Sequence, residues 1–127
     1  MSTRRVNPLR LIVSLLLFGC SGYQHAESVD AERARATLKV SLDAWKSGSS
    51  PTALKAGSPS IMVQDLDWIT GAKLIDYQVS GDGRKREANL FVPVRLTLRT
   101  PKGREIKKDV SYIIGTSPSL TIYRAFH

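Results

Sequence analysis

Asp65 and Asp67 stand two residues apart around Leu66. In extended chain, side chains at that spacing point the same way. Two carboxylates so placed can share general acid and base work, and an apolar pocket would raise one of them towards the working range. The structural alternative is that one or both cap the turn before Trp68 or bind an arginine. Arg124 is the matching cation. It alternates in phase with Leu120, Ile122 and Phe126, and a charge on such a face needs a partner or a route to water. It would hold an anion or carboxylate at a pocket mouth, pair with Asp65 or Asp67, or lay its stem along the sheet edge. Trp45, Trp68, Tyr77 and Tyr112 are the aromatics available to line an apolar ligand cavity. Trp45 also lies at helical spacing from Leu38 and Leu42, as core residues do.

The remaining inventory excludes a good deal. His25 and His127 are the only histidines and lie at the ends of the expected domain, which disfavours histidine catalysis and zinc sites. Cys20 is the single cysteine, so an internal disulfide or a thiolate metal cluster is excluded. There is no P-loop, dinucleotide fingerprint or nucleophile elbow. Neither a cofactor nor a metal is expected.

The elements that must position these residues follow from periodicity. Ala34, Leu38, Leu42 and Trp45 recur at spacings that place them on one helical face from about Asp30 onward. Gly48 ends that helix. Ser50-Pro51 then has the form of an N-cap with proline at the first helical position, opening a short helix to Lys55. Ile61 to Val63 reads as a short extended piece. Lys73 to Ser80 alternates, with Ile75, Tyr77 and Val79 on one side, and Gly81-Asp82-Gly83 turns the chain. From Ala88 to Arg99, Leu90, Val92, Val94, Leu96 and Leu98 share a face. Ile106, Val110, Tyr112 and Ile114 share a face of the next strand, and a last strand runs from Leu120 to Phe126. A sheet with one apolar face must be covered. The expected class is therefore α+β: an N-terminal helix and a short helix packed on a curved, cone-like antiparallel sheet.

At 127 residues, 42% hydrophobic and 24% charged, the chain has the length and composition of one globular domain. Its start is different in kind. Arg4, Arg5 and Arg10 precede an apolar run from Leu11 to Phe18, followed by small residues, the pattern of a secretory signal peptide. That run is far short of the ~20 residues of a spanning helix. Leu17-Phe18-Gly19-Cys20 resembles the lipobox of bacterial lipoproteins. The resemblance implies a diacylglyceryl group on the Cys20 sulfur, cleavage before it, and acylation of the new amine, with palmitate among the acyl chains. Two or more chains hold a protein on a bilayer where one does not. The expected division is a signal peptide over 1–19, a polar tether over 20–29 and the domain over 30–127. Ser21 after the cysteine implies the outer rather than the inner membrane where a cell has both. Removing three arginines and no acids from a +8 chain leaves +5 on residues 20–127.

The order of elements, with Leu38, Leu42, Ala44-Trp45-Lys46 and Gly48 in the leading helix, the short helix at Pro51 and the stretch from Asp67-Trp68 to Gly71, resembles the nuclear-transport-factor-2-like superfamily. The likeness covers about residues 30–126. It implies a cone-shaped fold with an apolar pocket between helix and sheet, in enzymes and in binding or assembly modules alike, so fold alone chooses no function. The expected function is a lipid-anchored cell-envelope binding or assembly module. The rival is a small isomerase or hydrolase using an aspartate and Arg124. The expected partners are a membrane through Cys20, a small apolar ligand and a second copy on the outer sheet face. Arg84-Lys85-Arg86 and Lys102, Arg104, Lys107, Lys108 form two basic runs. They fall at opposite ends of a strand about 35–40 Å long, too far apart for one patch, and nucleic acid is not expected as a partner.

Overall fold

The computed structural model describes residues 27–126. Helix α1 spans Ala31–Lys46, and Asp30 caps it by accepting a hydrogen bond from the Arg33 N–H at 3.0 Å. Ala34, Thr37, Leu38, Ser41, Leu42 and Trp45 form its buried face. Gly48 follows with a φ of +95°, a conformation that suits glycine. The short helix α2, Pro51–Lys55, is capped by Ser50. Strand β1 (Ile61–Gln64) leads into a single turn of helix, α3 (Leu66–Ile69). Five strands complete the chain: β2 (Lys73–Val79), β3 (Arg84–Arg86), β4 (Asn89–Arg99), β5 (Glu105–Gly115) and β6 (Leu120–Arg124).

The six strands form one strongly curled sheet, a half-barrel, in the order β1-β6-β5-β4-β2 with β3 beside β4. The fold is α+β and cone-like. The inward side chains of β4, Leu90 to Leu98 at every second position, are all nearly inaccessible. They meet α1 through Leu38, Leu42 and Trp45 to make the core.

Several details depart from the pattern read in the sequence. The sheet is mixed, because β1 runs parallel to β6, pairing Ile61 with Leu120 through Gln64 with Tyr123. This covers the free edge of β6. It also delivers the residue after Gln64, Asp65, to the level of Arg124. A bulge at Ile75 shifts the register of β2 against β4, so Leu74 takes the buried position with Tyr77 further along the same face. The basic run Arg84-Lys85-Arg86 is a paired strand with all three residues exposed, joined to β4 through Glu87 at a φ of 54°. Phe126 lies beyond β6 and is 92% exposed, since β6 ends at Arg124. Val29, assigned to the tether, is buried, and its N–H reaches the Glu87 carbonyl at 3.3 Å. The packed domain thus begins before residue 30.

Among the described residues, one buried side-chain group is unsatisfied. Thr37 Oγ1 donates back to the Arg33 carbonyl at 2.8 Å, but Ser41 Oγ, one turn later on the same face, is buried without a hydrogen-bond partner. An unpaired buried hydroxyl costs about 1–3 kcal/mol, and alanine is the better helix former. Ser41→Ala is therefore expected to raise the urea midpoint of unfolding, with an unchanged slope.

Candidate functional site

The strongest concentration of charge inside the fold lies where β1 passes into α3. The α3 turn begins at Asp65, whose side chain caps it: Oδ1 accepts from the Asp67 N–H at 3.0 Å and the Trp68 N–H at 3.3 Å. Asp65 is only 1% exposed. From β5, Tyr112 donates its hydroxyl to Asp65 Oδ2 at 2.5 Å. From β6, Arg124 donates Nη2 to Asp65 Oδ1 at 2.8 Å and Nε to Oδ2 at 3.4 Å. The same Arg124 Nη2 also donates to Asp67 Oδ2. Lys108, one strand over on β5, closes the far side with a 2.8 Å bond to that oxygen. The guanidinium lies 6.0 Å from the centre of the Tyr112 ring, within cation–π range.

The electrostatics follow from this packing. Burial pushes the Asp67 carboxyl up, but the hydrogen bonds from Lys108 and Arg124 outweigh it and hold the group below the usual carboxylate range. Burial and the neighbouring Asp65 together push the Tyr112 hydroxyl well up. Burial lowers Arg124, yet bonds to Asp65 and Asp67 more than compensate, and its net shift is upward. At neutral pH, Tyr112 is a neutral donor and Arg124 a fixed cation.

The chemistry open to this cluster is narrow. A carboxylate offers about four lone-pair sites, and Asp65 already accepts five hydrogen bonds. It has no free acceptor for a substrate proton. Asp67 holds two cations. Among the described residues, no group of three or more His, Cys, Asp or Glu side chains is arranged to hold a metal ion.

The other candidate residues fall elsewhere. Trp45 and Trp68 stack with ring centres 5.1 Å apart and planes 5° from parallel. Both indoles are spoken for: Trp45 Nε1 donates to the Ala72 carbonyl at 2.8 Å and Trp68 Nε1 to Ser49 at 2.9 Å. The stack plugs the core at the C-terminal end of α1 and pins the two loops beside it. Outside it lies an open depression of about 680 Å³ whose rim includes Ser49, Pro51, Ile69, Gly71 and Lys73. Neither aspartate nor Arg124 reaches that depression. Tyr77 belongs to neither group. Its hydroxyl donates to Asp43 of α1 at 2.6 Å, and burial together with that carboxylate pushes it up to about 12. Cys20 lies outside the described residues.

The structure thus gathers Asp65, Asp67, Tyr112 and Arg124, pairs Trp45 with Trp68, and leaves Tyr77 apart. Sequence reasoning missed Lys108 as a member, grouping it with Lys102, Arg104 and Lys107 in a basic run. A signal was present, since Lys108 falls in phase with Ile106, Val110 and Tyr112 on the inward face. No family model matches the chain, nor does any curated protein or solved structure.

Removing one partner of a buried ion pair strands the other charge and costs about 3–5 kcal/mol. Arg124→Met should therefore lower the stability of folding by that amount, measured by chemical denaturation at pH 7. The Asp67 contribution is complete above the ordinary carboxyl value of 3.8 and is lost as pH falls through the depressed folded value. A stability profile from pH 7 to pH 2 should hold level to about pH 5 and decline below it. Trp45→Ala should cost about 3–5 kcal/mol through the cavity it leaves; a near-neutral result would remove the stack from its assigned role as plug.

Proposed function

We propose that the chain is a lipid-anchored cell-envelope module that binds or assembles with a partner, and that the aspartates build the fold rather than catalyse a reaction. The observation that carries this reading is the saturation of Asp65. The isomerase or hydrolase alternative needs a carboxylate with a free acceptor inside an open pocket. Here the buried carboxylate is engaged from three elements, and the wide depression on the surface contains neither aspartate. A pocket floored by loops and edged by Ile69, Lys73 and serines suits a small apolar or amphipathic ligand held at the surface.

The anchor rests on the lipobox-like Leu17-Phe18-Gly19-Cys20. No helix among the described residues is long and apolar enough to cross a membrane, so acyl chains on Cys20 are the proposed attachment. The order of elements supports the likeness to the nuclear-transport-factor-2-like superfamily, whose members include binding and assembly modules. On this reading the protein is exported and held on the periplasmic side, at the outer membrane where there are two. The outer sheet face is available to a second copy.

Membrane fractionation with intact-mass measurement tests the anchor. The native protein should sediment with membranes and carry the added mass of a diacylglyceryl group and a further acyl chain. Cys20→Ala should move to the soluble fraction at unmodified mass. Equal membrane retention of the variant, or an unlipidated native mass, would overturn the proposal.

A further inference from the structure

The net charge of the domain is not spread over it. Where the described chain begins, Val29 is bonded to Glu87 and the Asp30 N–H to Thr116 Oγ1, which places the start of α1 beside the β3–β4 hairpin. Arg35 reaches across to the Asp82 carbonyl at 3.2 Å. The segments at this pole carry five cations, Arg33, Arg35, Arg84, Lys85 and Arg86, and five carboxylates, Glu27, Asp30, Glu32, Asp82 and Glu87. The pole is neutral despite its conspicuous basic run.

Further along, the charges pair off. Lys39 meets Asp43, Lys46 meets Asp76, and Arg95 meets Asp109. Asp65 and Asp67 are matched by Arg124 and Lys108. The opposite pole is the tip of the β4–β5 hairpin, about 35 Å away along β4 at ~3.3 Å per residue. Lys73 stands against Arg99 there in the β2–β4 register, and Lys107 against Thr97. Lys102 and Arg104 occupy the turn itself. These five side chains are all exposed, and Glu105 is the only carboxylate among them, 3.7 Å from Arg99. The hairpin pole therefore carries four of the five net charges of residues 27–126, while the other pole and the middle nearly cancel.

We infer that this hairpin pole is a docking surface for an acidic polysaccharide. The cations stand on three neighbouring strand ends, of β2, β4 and β5, and on a turn, and the hollow there, lined by Thr100, Pro101, Lys102, Gly103 and Arg104, is a surface feature of the turn. A row of separate cations matches a repeating linear charge better than a single small anion. Residues 99–108 contain no aromatic side chain, so the tip lacks the stacking platform with which proteins hold single-stranded nucleic acid. Hydrogen-bonding side chains on an exposed turn, Thr100 and the arginine forks, suit sulfate, carboxylate and hydroxyl groups on a sugar chain. The inference goes beyond the anchor at Cys20 and does not depend on it.

Charge-matched variants at the two poles provide the test. Full-length protein, solubilised in a neutral detergent, is measured against heparin as the sulfated polysaccharide. Lys102→Glu with Arg104→Glu should weaken binding about tenfold or more at low salt, and flatten its salt dependence. Arg84→Glu with Lys85→Glu changes the net charge equally and should leave heparin affinity within about twofold of the parent, because that pole is balanced by its own carboxylates. Equal losses in both double variants would show a response to net charge alone and overturn the proposal. So would parental affinity in the hairpin variant. Tip-dependent binding to vesicles of anionic lipid without binding to heparin would overturn it in favour of a membrane surface. All the substituted side chains are exposed, and unchanged thermal melting would confirm that each variant is folded.

Discussion

The bond between Arg124 and Asp65 is the constraint on which the rest of this molecule depends. A carboxylate taken out of water costs several kcal/mol unless it is paired and its lone pairs are filled. Asp65 satisfies that condition only when four segments are in place together: the first turn of α3 for two backbone donors, β5 for Tyr112, β6 for Arg124, and β1 to bring Asp65 to their level. An apolar side chain in its place would tolerate sliding of β1 along β6. The ion pair does not, because a shift of one residue would turn the carboxylate away from the guanidinium. The parallel strand at the edge of an otherwise antiparallel sheet is held in register by this cluster.

The Trp45–Trp68 stack does similar work at the mouth of the core. Each ring buries a large apolar area and aims one N–H at a loop carbonyl. The loops after α1 and after α3 are thereby tied to the same pair of rings. With the mouth plugged by indole and the buried acid saturated, the interior of this half-barrel is scaffold. The binding proposed for this protein therefore falls to the surface: the open depression beside the plug, the outer sheet face and the basic hairpin. The uneven charge has the same origin, since most acids near the middle of the fold are consumed in pairing and the hairpin tip has almost none.

Much of this was legible in the residues. The alternation from Leu90 to Leu98 has a single strand reading, and the spacing of Ala34, Leu38, Leu42 and Trp45 has a single helical one. Local chemistry fixed the cap at Ser50 and the stop at Gly48, and periodicity the start of the first helix near Asp30. Arg124 was marked as a charge on an apolar face that needed a partner or a route to water, and the two carboxylates that it took were among the partners considered. The bulge at Ile75 was not legible, because an extra residue in a strand shows only against its partner. Nor was the short strand Arg84–Arg86, whose exposed basic residues carry no alternation.

What the sequence determined by itself was the main helix and the long strands, the buried faces of α1, β4 and β5, and the inventory of groups that need partners, because these depend on neighbours within a few residues. Only the tertiary structure decided which partners they took. Parallel pairing of β1 with β6, recruitment of Lys108 and Tyr112 to the aspartates, and the neutral and basic poles all arise between residues dozens of positions apart. Periodicity records which way a side chain faces. It does not record what stands opposite, and that is where the carboxylate of Asp65 was turned from a candidate base into a structural anchor.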